Sequence, residues 1–263
     1  MIRSRHRLIQ ELLYEHGECS VEQLARECKV SLMTIRRDLH ILAELGLVAR
    51  SHGGAAPLEQ VTFQFEFHQR SKQNEKAKQL IARTAAAMVT DGQSVMLDSG
   101  TTTLALALQL RDRKRLQLIT TSLAIASALQ KSSGVQVLLL GGFVRHDAPD
   151  LAGIVTEMNL EHLQADWAFI GADGIDLEGN IYNASIELCR MLSKMVSGAK
   201  TAYIVSDSSK IGRTALMRFG NIASCQGLIT DAGIEPNQQI KLSKAGVNII
   251  ISKDLSSTSN TNS

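Results

Sequence analysis

No run of 18 consecutive apolar residues occurs in this sequence, so no part of it has the makings of a membrane-spanning helix. No secretory leader is expected either. The basic start Met1-Ile2-Arg3-Ser4-Arg5-His6-Arg7 is followed by Gln10, Glu11, Tyr14, Glu15 and His16, which interrupt the apolar core such a leader needs. A cytoplasmic protein with no membrane partner is expected. The four cysteines, Cys19, Cys28, Cys189 and Cys225, are scattered, with no C-x-x-C pair and no histidine at ligand spacing. They read as reduced, small apolar residues, and no disulfide framework, metal site or cofactor is expected. A dominant charge sign is also lacking. The net charge is +2, and residues 1–60 hold eight Lys/Arg against eight Asp/Glu. A polyanion would have to be met by cations gathered on one face. Catalytic signatures are absent: there is no G-x-S-x-G, no H-E-x-x-H and no Walker loop.

What is present is periodicity of two kinds. From Ser4 to His16, Leu8, Ile9, Leu12 and Leu13 share one helical face, and Gly17 stops the helix. Ser20 with Gln23 forms a capping box for a second, short helix carrying Val21, Leu24, Ala25 and Cys28. After the tight Lys29-Val30 connection, Ser31 caps a third helix running to about Leu45, with a buried stripe of Ile35, Leu39, Leu42 and Leu45. A strand at Leu47–Arg50 and a turn at Ser51–Ala55 follow, and Pro57 closes the zone. An Ala- and Lys-rich helix over 72–89 turns Leu80, Ile81, Ala85 and Met88 inward. Beyond it, seven apolar runs (95–97, 116–120, 135–140, 168–170, 202–205, 227–230 and 247–251) alternate with helical patterns at 102–110, 123–130, 160–163, 185–196 and 236–245. Continuous apolar strands alternating with helices imply a mostly parallel sheet covered on both faces. The chain thus divides into a helical module at 1–58, a linker at 59–75, an α/β domain at 76–253, and a Ser/Thr/Asn-rich tail at 254–263 expected to be disordered.

Three short helices, a strand and a Gly-Gly turn are the parts of a winged helix-turn-helix. Its third helix must bury one stripe and offer the other to a groove about 12 Å wide. The outward residues are then Ser31, Met33, Thr34, Arg37 and His40, with Arg36 at the flank. Short polar groups suit base edges, arginine suits guanine or phosphate, and Arg50 and His52 on the wing are placed for backbone or minor groove. A protein-interaction module with a solvated Arg-Arg pair is the bland alternative.

In the α/β part, Asp98-Ser99-Gly100-Thr101-Thr102-Thr103 follows a strand and opens a helix, where backbone N–H groups, hydroxyls and the helix dipole favour an anion. Ser99 or Thr101 acting only as a cap is the simpler reading. Thr121 and Ser122, Gly141 and Gly142 with Arg145, Asp173, and Asp207 to Lys210 follow other strands, all at the carboxyl edge where open parallel sheets bind ligands. Asp173 suits sugar hydroxyls, and Lys210 or Arg145 suits phosphate.

The run Val30-Ser31 through Thr34-Ile35-Arg36-Arg37-Asp38-Leu39, then Leu42, Leu45-Gly46 and Arg50-Ser51-His52-Gly53-Gly54-Ala55, strongly resembles the N-terminal domain of the DeoR family of bacterial sugar-metabolism regulators. Residues 63–252 resemble its sensor domain, through Phe67-x-x-Arg70, Asp91-Gly92, Asp98-x-Gly100-Thr101-Thr102, Leu140-Gly141-Gly142, Gly171-x-x-Gly174, Asp207-x-Ser209-Lys210 and Thr230-Asp231. The resemblance implies a winged helix-turn-helix joined to an α/β sensor similar in fold to ribose-5-phosphate isomerase. It also implies a double-stranded DNA operator, a small phosphorylated sugar as effector around Gly100–Thr103, Asp173 and Lys210, and repression relieved by that effector. A homodimer or homotetramer without enzymatic activity is expected. Two positions depart from the family pattern. Thr121 stands where an asparagine is usual, and Met191 where a lysine usually follows the glutamate that Glu187 matches, with Arg190 and Lys194 as the nearby cations.

Overall fold

A computed structural model describes residues 2–51, 53–57, 67, 69–145 and 148–253, and the chain divides into two compact units. One holds residues 1–70 with 146–148, the other 71–145 with 149–263. His52, most of the linker and the tail lie outside the described residues.

The first unit contains α1 (Ile2–His16), β1 (Cys19–Ser20), α2 (Val21–Cys28), α3 (Leu32–Glu44), β2 (Val48–Ser51) and β3 (Gly54–Pro57). Ser20 caps α2 as its spacing predicts: Gln23 N donates to Ser20 Oγ (3.1 Å) and Ser20 N to Gln23 Oε1 (2.8 Å). The turn into α3 is tight because Lys29 takes the left-handed conformation (φ 53°) and ties its N–H back to α2. Strand β3 pairs antiparallel with both β1 and β2. That crossing requires glycine at 54, since a Cβ there would lie 2.2 Å from the Cys19 carbonyl oxygen. Ile9, Leu13, Leu24, Ile35, Leu39, Leu42 and Val48 form the core.

Two stripe residues fall outside that core. Leu8 is 36% exposed and Leu45 63%. The α3 stripe ends at Leu42 because Gly46 (φ 65°) reverses the chain and Leu47 N bonds the Leu42 carbonyl at 2.8 Å. Leu47 then packs on the core instead of Leu45.

The second unit begins with α4 (Glu75–Met88), β4 (Ser94–Leu97), α5 (Thr101–Leu110), β5 (Leu116–Thr120), α6 (Leu123–Leu129) and β6 (Val135–Leu139). Next come β7 (Phe143–Val144), β8 (Leu151–Ala152), α7 (Ile154–Glu161), β9 (Ala165–Ile170), β10 (Gly174–Ile175) and β11 (Asn180–Asn183). Then follow α8 (Ile186–Ser197), β12 (Ala199–Val205), β13 (Met217–Asn221), β14 (Gly227–Asp231), α9 (Pro236–Lys244) and β15 (Ile249–Ser252). All seven apolar runs are strands of one sheet, in the order β15-β14-β12-β9-β4-β5-β6, and every pairing in it is parallel.

Alternate residues divide that sheet between two cores. Val95, Leu97, Phe169, Tyr203 and Ile229 meet Ile81, Ala85, Leu106 and Ile125 on one face. Met96, Ala168, Ile170, Ile204 and Leu228 meet Leu188, Met191, Leu192 and Leu242 on the other. Burial on both faces is why the strands read as uninterrupted apolar runs. Helix α4 turns Lys78, Ile81, Ala82, Ala85 and Ala86 inward, with Leu80 and Met88 half-buried.

Two features go beyond the expected pattern. The pair β7–β8 and the small sheet β10-β11-β13 are antiparallel additions. Helix α7 starts at Ile154 rather than Leu160, because exposed Ile154, Val155 and Met158 blur its amphipathic signal.

Candidate nucleic-acid interface and effector site

Helix α3 presents one face outward. Ser31, Met33, Arg36, Arg37 and His40 are exposed and Thr34 is half-buried, while Ile35, Leu39 and Leu42 are covered. At its start, Thr34 N donates to Ser31 Oγ (3.2 Å) and the two hydroxyls share a bond of 2.8 Å, so this polar corner is already ordered. Arg36 and Arg37 face no carboxylate among the described residues, and His40 lies 3.4 Å from Glu44. Arg50 is exposed on β2, the first strand of the wing.

The third charge of the Arg-Arg-Asp run behaves differently. Asp38 is buried and receives Arg5 at 2.5 and 3.0 Å and His6 at 3.0 Å, which anchors α3 to α1. Burial pushes its carboxyl up, but the bonds from Arg5 and His6 outweigh it and hold Asp38 below its ordinary value.

In the second unit, the chain builds β4, β5 and β6 in one direction and then returns to lay β9 against the other side of β4. The strand order therefore reverses between β4 and β9, the position where doubly wound sheets open a crevice at their carboxyl ends. Asp98 sits at that point. Its carboxylate accepts Gly100 N (3.1 Å), Thr103 Oγ1 (2.6 Å) and Gly171 N (2.9 Å), binding the β4 and β9 loops together. Burial raises the Asp98 carboxyl above its ordinary value despite those three donors.

Gly100 is the N-cap of α5 and supplies no side-chain cap, which leaves the first-turn N–H groups of that helix uncapped. Thr101 and Thr102 are nearly buried beside it. Ser122 caps α6 by accepting Ile125 N (3.2 Å), whereas the fully buried Thr121 hydroxyl has no hydrogen-bond partner among the described residues. Ser99 Oγ donates to Asp150, which also lies 3.6 Å from Arg145 Nε. Gly141 and Gly142 are exposed, with Thr156 Oγ1 donating to the Gly141 carbonyl at 2.6 Å. Asp173 is half-buried and accepts Ala184 N (3.0 Å).

Asp207 accepts Ser209 N (3.1 Å) and Asn74 Nδ2 (2.9 Å), which sets the short helical turn carrying half-buried Lys210. That turn is joined to the Asp173 loop through Ser206 Oγ to the Ala172 carbonyl (3.4 Å) and an Ile175–Ile211 bridge. The sequence-predicted residues from the loops after β4, β5, β9 and β12 therefore occupy one sheet edge, linked by hydrogen bonds from loop to loop. Sequence reasoning did not single out Asp150, Thr156 or Asn74, whose partners are 51, 15 and 133 residues away.

Of the two positions that depart from the family pattern, Met191 is core, 1% exposed. The nearby cations pair with α7: Arg190 lies 3.4 Å from Glu157 and Lys194 2.6 Å from Glu161. No helix among the described residues is long and apolar enough to cross a membrane.

Residues 5–61 match the family described as DeoR-like helix-turn-helix domain, and residues 73–232 match the DeoR C terminal sensor domain. A glycerol-3-phosphate regulon repressor of Escherichia coli K12 is 32% identical over 228 residues, covering 87% of this chain and 90% of that protein. The HTH-type transcriptional regulator GlpR of Haloferax volcanii is 32% identical over 246 residues, covering 94% of this chain and 96% of that protein. Among solved structures, ribose 5-phosphate isomerase A of Neisseria gonorrhoeae is similar at 16% identity and a TM-score of 0.38, over 51% of this chain and 52% of that one. A helix-turn-helix and a sensor matched in the same order, with relatives aligned along nearly their whole length, identify this chain as a member of the DeoR family of DNA-binding transcriptional regulators.

Proposed function

We propose that the chain represses genes of carbohydrate metabolism in the cytoplasm and releases its operator when a small phosphorylated sugar binds the sensor unit. The observation that carries the DNA half is the exposed face of α3, where Ser31, Met33, Thr34, Arg36, Arg37 and His40 stand clear of a helix whose opposite stripe is buried. Arg50, with His52 beside it in sequence, serves the wing. The effector half draws on the uncapped start of α5, the buried unpartnered hydroxyl of Thr121, and half-buried Lys210, which faces no carboxylate among the described residues. Ser99, Gly100, Thr101, Thr102 and Ser122 would surround the phosphate, with Gly141, Gly142 and Arg145 at one side and Asp173 toward the sugar hydroxyls. Asp98 and Thr103 hold the loops in place. A relative named for a glycerol-3-phosphate regulon agrees with a phosphorylated ligand of few carbons.

The sensor works by binding alone in this reading. Glu187 is exposed on α8 and Glu178 on a surface turn, and among the described residues neither makes a hydrogen bond that would position it as an acid or base beside Gly100. The deciding experiment is operator binding across a salt series, with and without a panel of pentose, hexose and triol phosphates. We expect log K to fall linearly with log salt, one ligand to weaken binding, and Arg37→Ala to cost about 1–3 kcal/mol. Unchanged operator affinity in Arg37→Ala would remove α3 as the reading element. Turnover of any ligand in the panel would overturn the regulator-only reading.

A further inference from the structure

Among the described residues, Asp150 is the one fully buried carboxylate that the pattern of strand-end loops did not anticipate. It stands at the start of β8, opposite Ser122 in a β-bridge, and the next residue donates Leu151 N to the Thr121 carbonyl at 3.0 Å. Ser99, on the loop that opens α5, donates its hydroxyl to Asp150 Oδ2. Arg145 approaches Oδ1 with Nε at 3.6 Å and donates its backbone N–H to the Asp150 carbonyl at 3.1 Å. The side chains of Arg145 and Asp150 are 8% and 1% exposed.

A serine hydroxyl beside an uncapped helix start, together with a guanidinium, is a donor set for phosphate oxygens. Here an internal carboxylate already accepts the serine hydroxyl and stands within ion-pair distance of the guanidinium. Two anions cannot share one buried donor set without strong repulsion, so ligand phosphate and the Asp150 carboxylate exclude each other there.

Resting on the phosphorylated-effector reading above, we propose that Asp150 is a built-in substitute for the effector's anionic group. It engages Ser99 and Arg145 and must yield them when phosphate binds, so it sets the ligand threshold of this regulator. The carboxylate gives the pocket a competing occupant present at all times. Only ligands whose phosphate and sugar contacts together outweigh it are accepted, and free inorganic phosphate is rejected.

The test compares the full-length wild-type chain, Asp150→Asn and the double variant Asp150→Asn with Arg145→Gln. Each is titrated with inorganic phosphate by calorimetry and thermal shift. Removing the competing charge should tighten phosphate binding at least tenfold in Asp150→Asn, and the double variant should lose that gain. Equal or weaker binding in Asp150→Asn would overturn the proposal, because a residue that merely positions Arg145 for the ligand predicts loss. If Asp150→Asn does not fold, the Arg145 Nε–H resonance of the wild type decides. Saturating glycerol 3-phosphate must shift it, and a resonance that stays put overturns the proposal. Failure of the underlying reading looks different: no variant then responds to inorganic phosphate or to any sugar phosphate, while all retain operator binding.

Discussion

Two aspartates of the sensor sheet show how neighbours set a side chain's work. Asp98 is wholly enclosed, and burial lifts its carboxyl although three donors converge on it. Asp166, at the opposite end of the strands, is only partly covered. Lys200 at 2.8 Å, with the Ser94 N–H and hydroxyl both at 2.9 Å, lowers it from 3.8 to about 2. A carboxyl whose folded pKa lies below its unfolded one adds stability above the unfolded value and forfeits it as pH falls through the folded one. Asp166→Asn should therefore lower unfolding free energy by about 1–2 kcal/mol at pH 7, after allowance for solvent screening. The gap to wild type should shrink between pH 4 and pH 2 and vanish below about 2. Trp167, the single tryptophan and its sequence neighbour, reports this unfolding by fluorescence. A gap independent of pH would show that Asp166 acts through packing and not through charge.

Among the elements, what could be read in advance tracks how local the cause is. Caps and tight turns depend on residues three or four apart, so the Ser20–Gln23 box and the Ser31 cap were visible in the chain itself. The sheet strands announced themselves because both their faces are buried. Leu45 misled because the choice between Leu45 and Leu47 rests on the chain reversal at Gly46, not on helical periodicity. Asp150 stayed hidden since Ala148-Pro149-Asp150 reads as an ordinary turn, while its partner Ser99 belongs to another strand end. The wing has its own local requirement. Gly54→Ala would drive a methyl into the Cys19 carbonyl and force β1 and β3 apart. We expect this variant to lose operator binding and to melt the helix-turn-helix unit earlier, while sugar-phosphate stabilisation of the sensor unit persists. Normal operator affinity in Gly54→Ala would mean that the β1–β3 crossing is dispensable for reading DNA.

For the whole molecule, a single helix-turn-helix reads few base pairs, and a two-fold assembly supplies both the length and the symmetry an operator needs. Sedimentation at micromolar concentration should show a dimer or tetramer, and a monomer alone would refute that arrangement. The reversal of strand order at β4 also bears on how the chain reaches its fold. The helix-turn-helix is made of contacts close in sequence and can form as soon as its residues are available. Strand β4 of the sensor must wait for β9, about 70 residues further on, before its second edge is satisfied. During synthesis a module able to grip DNA thus precedes the part that controls it. Meanwhile an apolar strand edge stands open to aggregation, which makes this interval the one in which chaperone help would matter most.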